Sequence, residues 1–390
     1  MSERCPVRVL LVLGSLEGGG AERVAVNLLR NCDPSRVDLR VGLLRREGDY
    51  LPQLQPEQMI GPVGRGRGLL DSFRAPFDVA RMIGDASPDV VMSFGLGLNL
   101  AVCAALGFSA RPRPYWICRE DSNPWAEVLN LAAGPLSRAA VRAALRKAYG
   151  AADCLLTVSE DLAAALAGLA LRIRAIHNPI DVEVVEAAAR DPLAEAPSRP
   201  FVVAAGRLVR QKGFDLLLEA FAMSQAAKEM DLVILGDGPQ RETLARRARE
   251  LGVALALPGF QDNPWSWFAR ASLFALPSRW EGFGNVVAEA MACGAPVLVS
   301  DCDFGPREQV VHGESGWVTK PEPAEMSEAI DALLADPALC RRLAAAGRAR
   351  ARMFAAPLIA ETYQRLFTGR PSLLAEPANP AVGRAAAAVT

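Results

Sequence analysis

Lysine is scarce in this 390-residue chain: Lys147, Lys212, Lys228 and Lys320 are four of its 43 basic residues. Histidine is scarcer still, with His177 and His312 far apart in sequence, which argues against a histidine-built metal centre. The eight cysteines are scattered, no Cys-x-x-Cys occurs, and most sit in apolar runs where a free thiol packs as a small hydrophobe. With no leader-like stretch ahead of Val7, a reducing, cytoplasmic location is expected. No apolar run approaches the ~18–20 residues that cross a bilayer. Neither a G-x-G-x-x-G nor a Gly-Lys-Ser/Thr loop follows a strand pattern, so dinucleotide and P-loop fingerprints are missing. Neither sign of charge dominates, and a net charge of −1 gives no general attraction to nucleic acid.

What remains is a globular composition, 51% hydrophobic and 22% charged, in a chain too long for a single core. Apolar runs alternate with helical patterns throughout. Val7–Leu13, 37–44, 90–93, 115–118 and 154–158 read as strands, and segments near 72–83, 98–107, 125–149 and 160–169 read as helices. A second βαβ series starts at Phe201. This is an α/β chain with two parallel sheets. We divide it into a first domain over 1–180, a proline-containing linker over 181–199, a second domain over 200–352, a helix over 353–369 and a loose Ala/Pro-rich tail over 370–390.

The densest chemistry lies between Ser278 and Gly294, SRWEGFGNVVAEAMACG. A strand pattern ends at Leu276, a glycine-bearing turn follows, and an apolar-periodic helix stops at Gly294. A helix start offers unpartnered N–H groups and a partial positive charge suited to phosphate. Gly282 and Gly284 allow close backbone approach. Glu281 in the turn and Glu289 one turn into the helix can both face what binds there; the pair also suits two solvated glutamates. Arg207 and Lys212 bracket the loop leaving the second domain's first strand, where two cations can neutralise a diphosphate. Asp301-Cys302-Asp303 has the Asp-x-Asp pattern of metal-dependent transferases, but its position after a late strand reads as a turn and helix cap.

In the first half, Gly18-Gly19-Gly20 follows the first strand and precedes a helix, which predicts close approach of a ligand at Gly19 and Gly20. Arg119, Glu120 and Asp121 stand at a strand exit and are candidates for contact with a second substrate, or for a solvated loop. Arg138, Arg142 and Arg146 form a basic row at i, i+4 and i+8 with alanines on the other faces; it suits an anionic membrane surface or plain solvent. His177 reads as a hinge or cleft residue ahead of Pro179.

Taken together, Gly206-Arg207 to Lys212-Gly213 and Glu281 to Glu289, about seventy residues apart, make the chain resemble the GT-B retaining glycosyltransferases of group 1, family four. The resemblance runs from Gly18 to about Phe367. It implies two Rossmann-like domains facing across a cleft, with the C-terminal helix crossing back to the first domain. Arg207 and Lys212 would hold the donor diphosphate, Glu281 would meet the transferred sugar, and Glu289 the ribose hydroxyls. Backbone around Phe283, Gly284, Asn285 and Val286 would meet sugar hydroxyls and phosphate. Gly259 and Phe260 would border the base, and Gly19 and Gly20 would close on the donor. The implied partners are a nucleoside-diphosphate sugar and a saccharide or lipid-linked acceptor, with no cofactor and no metal. A sugar-nucleotide 2-epimerase or a non-catalytic binder on this fold are the alternatives. Many relatives carry a histidine after the strand ending here in Cys118-Arg119-Glu120-Asp121, and this chain has none there.

Overall fold

The computed structural model describes residues 5–17, 19–61, 69–108, 112–131, 134–193 and 197–369. Gly18 and the tail over 370–390 lie outside these. The chain divides into two compact units. One runs to Pro179 and takes in the C-terminal segment from Ala356; the other is Ile180–Ala355.

The first unit is built on seven strands: β1 Val7–Leu13, β2 Val37–Leu43, β3 Met59–Ile60, β4 Val90–Phe94, β5 Tyr115–Glu120, β6 Cys154–Thr157 and β7 Ile173–Ala175. They form one sheet in the order β3-β2-β1-β4-β5-β6-β7, every pair parallel. Burial is continuous over Val9–Leu13 of β1 and along β4, which explains their apolar character, because helices cover both faces. The helix Ala356–Thr368 belongs here: Ile359, Ala360, Tyr363, Leu366 and Phe367 are buried in the core shared with Leu11, Val24 and Leu28.

The second unit has six parallel strands, β8 Phe201–Ala205, β9 Asp231–Leu235, β10 Leu255–Gly259, β11 Leu273–Leu276, β12 Val297–Ser300 and β13 Trp317–Thr319. Their order is β10-β9-β8-β11-β12-β13. The strand order reverses between β8 and β11, which are direct neighbours with Leu273 opposite Val202. Ligands of such sheets bind beyond the carboxyl ends of the strands at that reversal. The loops after Ala205 and after Leu276 both start there.

Two expectations are corrected. The helix read over 125–149 is two, Pro124–Leu131 and Pro135–Ala151, because Gly134 and Pro135 start a new helix rather than interrupting one. Residues 181–199 hold a helix, Val182–Ala188, capped by the Asp181 carboxylate, which accepts from Val184 N–H at 3.3 Å. That helix packs on Asn285–Cys293 within the second unit, so this stretch is part of a domain. Between Arg45 and Gly61 the chain contributes the edge strand β3, and 62–68 lie outside the described residues. Among the described residues no helix is long and apolar enough to cross a membrane.

Candidate functional site

The loop after β8 runs from Gly206 through the short turn Arg210–Lys212 to Gly213. Gly213 is left-handed (φ 65°), and a Cβ there would stand 2.1 Å from the Pro277 carbonyl oxygen. Only glycine lets this loop press against the one leaving β11. Polar bonds then stitch the two loops together. Gln211 Nε2 donates to Trp280 O at 3.0 Å, and Arg279 N–H donates to Gln211 O at 2.8 Å. The Arg279 guanidinium forks onto both oxygens of Asp215 at 2.7 Å each. Burial is the largest single influence on the Asp215 carboxyl and pushes it up, but the Arg279 fork, its charge and the backbone N–H groups of Asp215 and Leu216 together hold it below the usual range.

At the centre, Lys212 Nζ donates to Glu281 Oε1 at 2.5 Å. The Ser278 hydroxyl donates to the same oxygen at 2.6 Å, and Ser278 is held in turn by Ser300 Oγ on its carbonyl. Lys212 lies over Gly206, where an added Cβ would meet its Cε at 3.3 Å. Both partners of the ion pair are largely buried. Separate tasks were expected of Lys212 and Glu281; the structure pairs them, so the cation is already positioned by a carboxylate. Arg207 is exposed on the same loop and makes no ion pair among the described residues. A Cβ on Gly284 would lie 3.7 Å from Glu281 Cγ, so the ion pair sits beside the start of the helix Asn285–Cys293. Gly284, Asn285 and Val286 are half-buried there. Phe283 is buried with its ring edge-on to Phe354, 5.3 Å between centroids, so only its backbone is available to a ligand.

Residues that sequence reasoning passed over hold this helix start. The buried Gln309 side chain donates to the Phe283 and Gly284 carbonyls, the latter at 3.4 Å, and Arg350 donates to Glu308 O at 2.7 Å. The glycine-rich turn after β9 braces the Arg207 loop: Leu208 N–H donates to Asp237 O at 2.8 Å, and Gln240 N–H to Leu208 O at 3.0 Å. Gly259, the last residue of β10, accepts from Gly236 N–H at 2.8 Å, which joins it to the same loop edge; Phe260 beside it is 63% exposed. Glu289 is buried and accepts from the indole Nε1 of Trp265 at 3.0 Å. Asp301-Cys302-Asp303 is not the helix cap expected: Gly305 caps the helix Pro306–Gln309 without a side-chain bond, Asp303 forms a β-bridge with Trp280, and Arg307 reaches Asp301 at 3.5 Å.

In the first unit Gly19 precedes, and Gly20 begins, the helix Gly20–Asn31, with the Glu22 side chain folded over Gly19. Arg119 and Glu120 are not loop residues as read: β5 continues through both, and both are buried. Arg119 donates to Tyr363 Oη at 3.1 Å, to Asn178 Oδ1 at 2.6 Å and to Asp121, and lies over the Phe94 ring. Glu120 Oε1 accepts from Asn99 Nδ2 at 2.6 Å and Tyr149 Oη at 2.9 Å. Burial, with help from the charge of Glu127, pushes the Glu120 carboxyl up to about 8, against those two bonds. On Pro135–Ala151, Arg142, Arg146 and Lys147 are exposed, Arg138 is half-buried, and Leu136 is 87% exposed.

Comparison with known proteins matches the sequence to a family. The model described as "Glycosyl transferase 4-like domain" matches residues 19–179, and that of "Glycosyl transferases group 1" matches 185–350. The chain belongs to the group 1 glycosyltransferases. The break between the two matched stretches falls where the two compact units of this group 1 chain meet in sequence, after Pro179. It is 32% identical over 225 residues to the lipopolysaccharide core biosynthesis glycosyltransferase LpsE of Rhizobium meliloti, an alignment covering 56% of this chain and 65% of LpsE. It is 28% identical to LpsD of the same organism over 90% of this chain and 95% of LpsD. Among solved structures, Anabaena HepE in complex with UDP and glucose shares the fold at a TM-score of 0.74 and 21% identity, covering 93% of this chain and all of that one.

Proposed function

We propose that this protein transfers a sugar, with retention of anomeric configuration, from a nucleoside-diphosphate sugar to a saccharide or lipid-linked acceptor in bacterial-type surface polysaccharide or glycan assembly. The observation carrying this reading is Lys212 Nζ at 2.5 Å from Glu281 Oε1 beside the start of the helix Asn285–Cys293. Breaking the C1–O bond of such a donor leaves the electron pair on a β-phosphate oxygen. Arg207, Lys212 and the helix-start N–H groups supply positive charge for it from protein groups alone. An incoming diphosphate would draw Lys212 toward itself, freeing Glu281 to accept a sugar hydroxyl. The acceptor oxygen attacks the face the phosphate leaves, and its proton passes to the departing phosphate oxygen. Glu289 would accept from the ribose hydroxyls, with Gly259 and Phe260 bordering the base. HepE is described in complex with UDP, which favours a uridine donor here as well.

Contact with an anionic membrane surface is part of the same reading. The helix Pro135–Ala151 carries Arg138, Arg142, Arg146 and Lys147 and no acidic residue, beside the exposed Leu136 and Leu129. The anionic cytoplasmic leaflet is the surface such a face fits.

The test is nucleoside diphosphate release from a panel of UDP- and GDP-sugars, with and without saccharide and lipid-linked acceptors. Acceptor-dependent release is expected, and Arg207→Ala or Lys212→Ala should lower it at least a hundredfold, since one such donor is worth about 3–4 kcal/mol. Normal turnover of either variant refutes its assignment. Release without acceptor, or an altered donor sugar, points to the epimerase.

A further inference from the structure

Glu289 is almost wholly withdrawn from solvent, and an ionised carboxylate so placed needs donors. One is the indole N–H of Trp265, which donates to Glu289 Oε2 at 3.0 Å. The terminal torsion of a glutamate is broad, so a carboxylate meant for a specific diol must have its plane fixed from outside. A tryptophan does this well: it has two side-chain torsions and a rigid ring.

Trp265 is itself firmly held. It begins the short helix Trp265–Phe268, whose Trp267 packs edge-on to Phe201 with centroids 6.0 Å apart. Phe268 packs likewise on Phe274 at 5.0 Å. On the other side, Asn263 Nδ2 donates to Ala188 O at 2.9 Å, and Arg270 donates to Ala189 O at 3.2 Å. The helix Val182–Ala188 therefore braces the segment that carries Trp265. Nothing in the local pattern Asn263-Pro264-Trp265 announces a partner 24 residues away.

We infer that Trp265 is a positioning residue for the donor nucleoside, its indole N–H setting the plane of the Glu289 carboxylate for the ribose hydroxyls. The inference rests on the reading of Glu289 as the ribose acceptor. It assigns Trp265 no contact with the reacting atoms.

The experiment measures dissociation constants for UDP and GDP, and for their 2′,3′-dideoxy counterparts, on wild-type protein and on Trp265→Phe, which keeps an aromatic ring and removes the donor. Wild type should prefer the better ribonucleotide over its dideoxy form. In Trp265→Phe that preference should shrink about tenfold, with affinity for the dideoxy nucleotide held within twofold and the thermal midpoint close to wild type. An unchanged preference overturns the inference and leaves the Glu289 reading standing. Equal weakening of both nucleotides also overturns it, because packing alone would explain that result. Absence of any ribose preference in wild type overturns the Glu289 reading, and this inference falls with it.

Discussion

At the carboxyl end of β5, Arg119 turns into the first unit and is fully enclosed by Phe94, Tyr363 and Asn178. At the carboxyl ends of β8 and β11, Lys212 and Glu281 meet in a pair of glycine-bounded loops, with exposed Arg207 on the same loop. The two clusters occupy the same kind of place in the same kind of sheet. One spends its charges on holding distant parts of the chain together; the other holds a cation at a helix start beside an exposed arginine. The difference originates in the strands. β5 carries its charges within the ladder, Arg119 opposite Leu156 and Glu120 opposite Thr157, whereas β8 and β11 end on apolar residues before their loops begin. A charge on a buried strand must find partners inside, and a charge on a glycine loop keeps its access to ligand.

The comparison breaks most easily at Arg119. Arg119→Leu strands Asp121 and deprives Asn178 and Tyr363 of their donor, so it should cost about 3–5 kcal/mol of stability, as loss of one partner from a buried pair does. Urea denaturation of the full chain measures this, and UDP affinity of the folded variant should stay within twofold of wild type. A stable Arg119→Leu protein that no longer binds nucleotide would make Arg119 a ligand residue and erase the contrast.

The contrast also explains what could be read in advance. The Gly206–Gly213 loop and the stretch from Ser278 to Gly294 were legible because strand, turn and helix signals lie within a few residues of each other. The last helix was legible from its apolar period, but its return to the first unit only from the family resemblance. Arg119 was not, because its partners Asn178 and Tyr363 lie 59 and 244 residues away and charged residues after an apolar run look like a strand exit. The helix Val182–Ala188 was masked by the prolines that follow it, although Asp181 ahead of an apolar run is an N-cap signal. Trp265 was hidden for the same reason as Arg119: its partner is set by packing, not by spacing.

Glu120 sharpens the comparison at a smaller scale. Its folded-state carboxyl titrates at about 8, against 4.5 for an ordinary glutamate. Between these values the folded chain binds more protons than the unfolded chain, so stability falls as pH rises through that window and levels off above it. The slope from this one group approaches about 1.4 kcal/mol per pH unit. Glu120→Gln keeps an oxygen for Asn99 and Tyr149 and cannot ionise. Urea midpoints taken between pH 5 and 9 should therefore fall less steeply in Glu120→Gln than in wild type. Parallel curves would mean that Glu120 is ionised in the folded state and that this cluster is no drier than the Lys212–Glu281 pair.

The smallest effect separates the exposed charges of the two units. A basic residue near an anionic bilayer is worth about 1 kcal/mol, roughly fivefold in partitioning. Arg142→Gln should lower co-sedimentation with vesicles containing phosphatidylglycerol by about that factor, and the loss should vanish on neutral phosphatidylcholine vesicles. Arg207→Gln removes the same charge from the second unit and supplies the control. A larger loss in Arg142→Gln than in Arg207→Gln would assign the attraction to the face of Pro135–Ala151, because attraction to the surface falls off within a Debye length. If both variants lose equally, net charge alone governs adsorption and the helix has no privileged part in it. A loss specific to Arg142 would divide the first unit's cations by burial: Arg119 enclosed and structural, Arg142 and Arg146 on Pro135–Ala151 exposed and facing lipid.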